Sequence, residues 1–205
     1  MLADMSIKEF LDKTASSDPA PGGGSIAALC GAAACALSSM VAALTVNNKE
    51  YVGVSEEMEK LIQAGSGLMN FFMEQMDADA NAFNDVIAAY RMPKTGEQER
   101  TARSAAIQQG LKKAAEVPMG VAERALEAMD MIETAVEKGN KHAVTDGAVA
   151  AMMARNAVLA ALYNVEINLA SIKDEGYCEK MRDRIGELRD KAAAREKQIL
   201  DKVVL

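Results

Sequence analysis

The stretch IAALCGAAACALSSMVAALT, Ile26–Thr45, lies inside a longer run, Pro19 to Asn48, that holds no charged residue. Ala is the strongest helix former, and a helix of small side chains lets a neighbouring helix come close. The segment is long enough to span a bilayer. Its Ala, Ser, Cys and Gly contribute little transfer energy, however, and it lacks an aromatic or basic flank at its start. A core helix is also apolar on all sides. A long, central, Ala-rich helix buried in a bundle is therefore the expectation, and no membrane association is expected.

The rest of the chain agrees. Half of the 205 residues are apolar, yet only 4% are aromatic and none is Trp, so Ala and Met fill the space. Residues that favour strands are sparse, and no period-two pattern stands out. Ser6 with Glu9 forms a capping-box pattern ahead of a short helix carrying Ile7, Phe10 and Leu11. SSDPAPGGGS, Ser16–Ser25, reads as a loop. Met58, Leu61, Phe72, Met76, Phe83, Ile87 and Tyr90 recur at helical spacing over about 56–90, and RMPKTGE, Arg91–Glu97, ends that helix. A further helix is predicted over about 99–137, kinked or split at Pro118, and Gly139 with Asn140 stops it. Asp146 is the expected N-cap of a helix running to about residue 172. Gly176 marks another break before a last amphipathic helix with a charged outer face. The expectation is an all-α, single-domain bundle of about six to eight helices around the Ala-rich one.

A net charge of −7 argues against a nucleic-acid binder, which needs a basic face. Cys30, Cys35 and Cys178 are an odd count without metal-ligand spacing, and no metal site is expected. Together with an N-terminus lacking a signal pattern, this predicts a cytoplasmic protein. The lone His142 falls in a polar stretch and is expected on the surface.

Four features bear on chemistry. On the long helix, with Phe72 at zero and 100° per residue, Met76, Phe83, Ile87 and Tyr90 lie within about 60° of it, and Asp79 falls at about −20°, inside the apolar stripe. Asp77 and Asp85 point elsewhere, where solvated charges belong. Desolvation raises a carboxyl pKa and suits it to acid–base work near neutrality, but a buried Asp also caps helices or pairs with Arg. The glycines Gly22, Gly23 and Gly24, followed by Ser25, allow a backbone to approach a ligand, and a helix N-terminus attracts anions; a plain turn is the alternative. Arg91 and Lys94 offer two cations after the Asp79 helix, and also suit a helix C-terminus. Asn140 and Asp146 follow Gly139, and Asn164 and Asn168 share a helix face with apolar positions, placed either to bridge helices or to read a polar heterocycle.

In this order, PAPGGGS, MVAALT (Met40–Thr45), DADANAF (Asp77–Phe83), RMPK, Val117-Pro118, Gly139-Asn140, TDGAVAA (Thr145–Ala151) and NVEINL (Asn164–Leu169) resemble the cyclodeaminase domain of the formiminotransferase-cyclodeaminase family and its stand-alone bacterial relatives. RMPK stands where the family often has RLPK. The resemblance implies a helical homodimer acting on a one-carbon derivative of tetrahydrofolate, with no further cofactor. It implies that the second aspartate of D-x-D, Asp79, is catalytic, with Gly22, Gly23, Gly24, Ser25, Arg91, Lys94, Asn140, Asp146 and Asn164 as substrate-binding candidates. It implies 5-formiminotetrahydrofolate cyclodeaminase activity, or methenyltetrahydrofolate cyclohydrolase activity as the alternative. A separate formiminotransferase is a possible partner. A non-enzymatic helical dimer is the competing class.

Overall fold

The computed structural model describes residues 1–204. Six α-helices follow in order: α1 (Ile7–Thr14), α2 (Gly23–Val46), α3 (Ser55–Arg91), α4 (Glu97–Lys138), α5 (Val144–Leu169) and α6 (Glu175–Leu200). Short 3-10 turns occupy Leu2–Asp4, Lys49–Val54 and Lys141–Ala143, and no strand occurs among the described residues. The Ser6–Glu9 capping box starts α1 as its residues predict.

Helix α2 is central, packed against α3, α4 and α5. It runs antiparallel to α3 through its smallest residues. A Cβ on Gly24 would strike the Asp79 carboxylate, one on Gly31 would lie 2.7 Å from the Phe72 ring, and Gly65 of α3 faces the Ser39 hydroxyl. Two backbones this close need glycine at the crossing points, so Phe72 is fully buried against a small-residue face of α2 at Gly31. Helix α5 is also antiparallel to α2: Asn164 meets Gly23 at one end, and the Asn140 amide donates to Thr45 Oγ1 at the other.

Burial on the central helix is one-sided. Leu29, Met40 and Leu44 of α2 are exposed, as are Val149, Met152, Tyr163 and Ile167 of α5. By length and composition, α2 and the segment Lys141–Leu169 each suffice to cross a membrane. About half of each window is buried in this bundle.

Helix α4 is not split: it runs continuously through the buried Pro118. Proline has no N–H for the carbonyl four residues back, that of Ala114. Asn168 of α5 donates its Nδ2 to that carbonyl at 3.1 Å and to the Asn164 carbonyl at 2.8 Å. The missing helical bond is thus replaced from a neighbouring helix, and Asn168 is a bridge. Replacing Asn168 with Leu is expected to cost about 1–3 kcal/mol, because a half-buried carbonyl loses its donor. In a Pro118→Ala background, where an N–H returns, the loss should shrink. Urea denaturation of the four chains measures it, and equal losses in both backgrounds would remove this role.

Three boundaries also differ. Gly23, Gly24 and Ser25 form the first turn of α2, with only Gly22, the N-cap, outside it. Asp146 is not an N-cap: the turn Lys141–Ala143 runs directly into α5, so the polar cap moves upstream to Asn140, whose Oδ1 accepts from the His142 amide. Asp146 instead lies in the first turn, favourably placed in the helix dipole. Gly176 lies inside the first turn of α6, which Asp174 caps. His142 is exposed.

Candidate functional site

The start of α2 carries no capping side chain of its own, because Gly22 has none. Asp79, projecting from α3, fills that gap. Ser25 Oγ lies 3.1 Å from Asp79 Oδ2, and the Ser25 backbone N–H also donates to the carboxylate. Three glycines and one serine therefore form a helix N-terminus that receives an acid from another helix. Gly24 is the close approach: a Cβ there would lie 2.0 Å from Asp79 Oδ1.

Two influences compete at Asp79. Burial pushes its carboxyl above the ordinary range, while the Ser25 hydroxyl and amide pull it down; burial wins. The carboxyl is half-buried and keeps access to the outside. A carboxyl raised in this way holds a proton more readily than an ordinary one while still able to release it. The capping reading of this aspartate is the one the structure shows, and its geometry leaves the carboxyl accessible.

Beyond Asp79 the burial pattern of α3 turns. Ala82, Val86 and Ala89 are buried, whereas Phe83 is 36% and Tyr90 45% exposed, so the apolar stripe predicted through Phe83 and Tyr90 leaves the core. The reason is a change of partner: α3 meets α2 at Phe72 but α4 farther on, where Val86 packs on Gly110. Freed from the core, Phe83 and Ile87 line an open groove of about 460 Å³ with Pro19, Asn84, Ala88, Arg91 and Met92. Asp79, Phe83, Ile87 and Arg91 are spaced four apart and follow one ridge of the helix. Arg91 lies about 18 Å along the axis from Asp79. The ridge thus runs from an acid, across an aromatic and an aliphatic side chain, to a guanidinium. Lys94 is exposed in the segment after α3.

Other candidates fall as follows. Asn164 is at the site: its Nδ2 is 3.1 Å from where a Gly23 Cβ would stand, and it donates to the Ala160 carbonyl. Asn140 and Asp146 are not brought there by this chain. They sit by the C-terminal end of α2, about 30 Å from Gly24 along the helix. Asp77, expected in solvent, is half-buried and accepts the Leu2 amide at 2.9 Å, because the N-terminal turn folds back over α3. The sequence reading missed Pro19 and Asn84 as groove residues. For Pro19 the available signal was its place at the start of PAPGGGS.

Comparison with known proteins identifies the family. The family profile for formiminotransferase-cyclodeaminase matches residues 6–187. A methenyltetrahydrofolate cyclohydrolase from Methylorubrum extorquens is 35% identical over 203 residues, covering 99% of this chain and 98% of that protein. A formimidoyltransferase-cyclodeaminase from Rattus norvegicus is 33% identical over 97% of this chain, which spans 37% of the rat protein's length. The crystal structure of a formiminotetrahydrofolate cyclodeaminase from Thermotoga maritima superposes with a TM-score of 0.89 at 30% identity, covering 99% of this chain and 98% of that one. With its fold matched end to end and its full-length relatives named for folate chemistry, the chain belongs to the formiminotransferase-cyclodeaminase family.

Proposed function

We propose that this chain closes the one-carbon bridge of tetrahydrofolate as a 5-formiminotetrahydrofolate cyclodeaminase, with Asp79 as its acid–base group. The observation that carries this is a half-buried carboxyl, raised by burial, one helical turn before Phe83 on the ridge whose Phe83, Ile87 and Arg91 line the groove. The apolar ridge of Phe83 and Ile87 suits the flat middle of a folate, and Arg91 with Lys94 suits its glutamate carboxylates. Gly23, Gly24 and Asn164 bound the end where the reacting nitrogens would lie.

In the reaction, N10 attacks the carbon of the protonated formimino group on N5. The reaction is intramolecular, so holding N10 near that carbon supplies much of the rate. As the N10–C bond forms, Asp79 takes the N10 proton. It then gives this proton to the exocyclic nitrogen, the C–N bond breaks, and ammonia leaves with the 5,10-methenyl cation in place. One carboxyl performs both transfers.

A second reading has its own support. The Methylorubrum relative, matched along nearly its whole length, is named a methenyltetrahydrofolate cyclohydrolase. There Asp79 would take a proton from the water that adds to the methenyl carbon. An absorbance assay for methenyltetrahydrofolate separates the two: formation from the formimino substrate marks the first, and decay of added methenyl compound marks the second. Folates should also raise the melting temperature. A folded chain that does neither reaction and melts unchanged with folates would leave only the helical scaffold.

We also propose that a second copy covers the open apolar faces of α2 and α5. The described part of α2 has no charge anywhere along its length, and its outer residues Leu29, Met40 and Leu44 are of the kind buried in homodimer interfaces. Sedimentation should show twice the 21.8 kDa chain mass. A detergent-free monomer, or a chain that needs detergent, would exclude this pairing.

A further inference from the structure

Ser25 is fully buried on α2, and its Oγ lies 3.0 Å from the Met76 carbonyl and 3.1 Å from Asp79 Oδ2. Both are acceptors on α3, three residues apart, and both are within reach of one hydroxyl. A serine hydroxyl has a single proton, so it can point at only one of them at a time. A group that alternates between carboxylate and carboxylic acid changes what it asks of that hydroxyl. An ionised Asp79 needs a donor. An Asp79 protonated on Oδ2 donates toward the Ser25 oxygen, and the serine proton must then find another acceptor or remain unsatisfied in the interior, which is costly.

We propose that Ser25 is a positioning residue whose hydroxyl proton swings between the Met76 carbonyl and the Asp79 carboxylate as Asp79 gains and loses its own proton. The inference rests on Asp79 being the acid–base group. No covalent bond changes: the serine keeps its proton throughout and rotates it. In the base form, the Ser25 hydroxyl and amide both donate to Asp79. In the acid form, the hydroxyl donates to Met76, whose carbonyl has a second lone pair beyond its helical bond. Neither form leaves a buried polar atom without a partner, so Asp79 can cycle without disturbing α2 or α3.

The surroundings leave the task to Ser25. α2 presents only Gly24 and Ser25 to the carboxylate, and α5 presents the neutral Asn164 beside Gly23. Asp77, on α3 itself, is tied to the Leu2 amide. No charged side chain of α2, α4 or α5 acts on Asp79 among the described residues; burial and Ser25 account for its behaviour.

The test is an NMR titration of the substrate-free full chain. Labelling Met carbonyl carbons and Asp amide nitrogens singles out two Met-Asp pairs, Met76-Asp77 and Met129-Asp130. The Met76 carbonyl shift should follow the Asp79 carboxyl with the same midpoint, while Met129, far from the site, stays flat. Ser25→Ala should raise the Asp79 midpoint by about one pH unit or more, since a carboxylate loses a charge-assisted donor. Ser38→Ala, the same change at another fully buried serine of α2, should leave it unmoved. A Met76 carbonyl that stays flat while Asp79 titrates, or an Asp79 carboxyl that does not titrate, overturns the proposal even if Ser25→Ala fails to fold. Because no folate is present, a chain that passes this test but converts no folate keeps the Ser25 device and loses the proposed reaction.

Discussion

An Asp79→Asn chain should fold, lose turnover by on the order of 10³, and melt no lower than the parent. The rate loss is the scale of general acid–base catalysis when one group serves two transfers. Asn keeps an oxygen for the Ser25 amide and hydroxyl, so the start of α2 stays capped while the exchangeable proton is gone. The stability half follows from the direction in which the carboxyl is displaced. Burial raises Asp79 in the folded chain above its value in the unfolded chain. Below the unfolded value both states are protonated, and the group costs nothing. As pH rises from there through the folded value, the unfolded chain releases its proton more readily, and the parent loses stability. Asn does not titrate and has no such loss. The melting temperatures of the two chains should therefore agree best in acid, separate across that window, and stay separated above it, with the variant higher. Calorimetry from acid to neutral pH, beside the absorbance assay, gives both halves. Full turnover by the variant would remove Asp79 from the chemistry. A large drop in melting temperature would make its carboxylate a structural cap and nothing more.

Local patterns in the sequence were legible, and arrangements built from distant residues were not. The capping box of α1 could be read because Ser6 and Glu9 are three residues apart. The central place of α2 could be read because thirty residues without a charge have few other uses. Asp79 could be found because the helical period held from Phe72 to it. The same stripe failed one turn later, at Phe83. A helix of 37 residues changes partners along its length, and of the residues that take over burial, Ala82, Val86 and Ala89, two are too small to weigh in an apolar count. That Pro118 would not split its helix could not be read, because its replacement donor, Asn168, lies fifty residues away in the sequence. Asn140 and Asp146 were grouped with the glycines only through the family resemblance; in space the length of α2 separates them. The partner of Asp79 was hidden for a related reason. Ser25 looked like part of a loop, whereas the glycines before it are already helical.

Gly24→Ala should nearly abolish turnover, by about 10² or more, although the added methyl touches no substrate. Its Cβ would stand 2.0 Å from Asp79 Oδ1, 2.4 Å from Cγ and 2.7 Å from Oδ2. Every one of these is well inside van der Waals contact. The carboxyl must swing away by an ångström or more, which breaks its contact with Ser25 and moves the proton off line; displacements of that size cost about 10² in rate. Overpacking of this kind also destabilises by about 1–3 kcal/mol. The neighbouring glycines provide the control. A Cβ on Gly22 meets only the Pro19 carbonyl, at 3.6 Å, and one on Gly23 meets the flexible Asn164 amide at 3.1 Å. Retained activity should therefore fall from Gly22→Ala through Gly23→Ala to Gly24→Ala. If the triplet worked only as a supple turn, or as a row of amides for an anion, the three would suffer alike. The cause can be isolated further. In an Asp79→Ala background the carboxyl is absent, so Gly24→Ala should lose most of its destabilising effect, a coupling that a double-mutant cycle in urea reads directly. An effect of the same size in both backgrounds would mean that Gly24 is needed for the path of the backbone, and that the acid does not owe its position to the missing side chain.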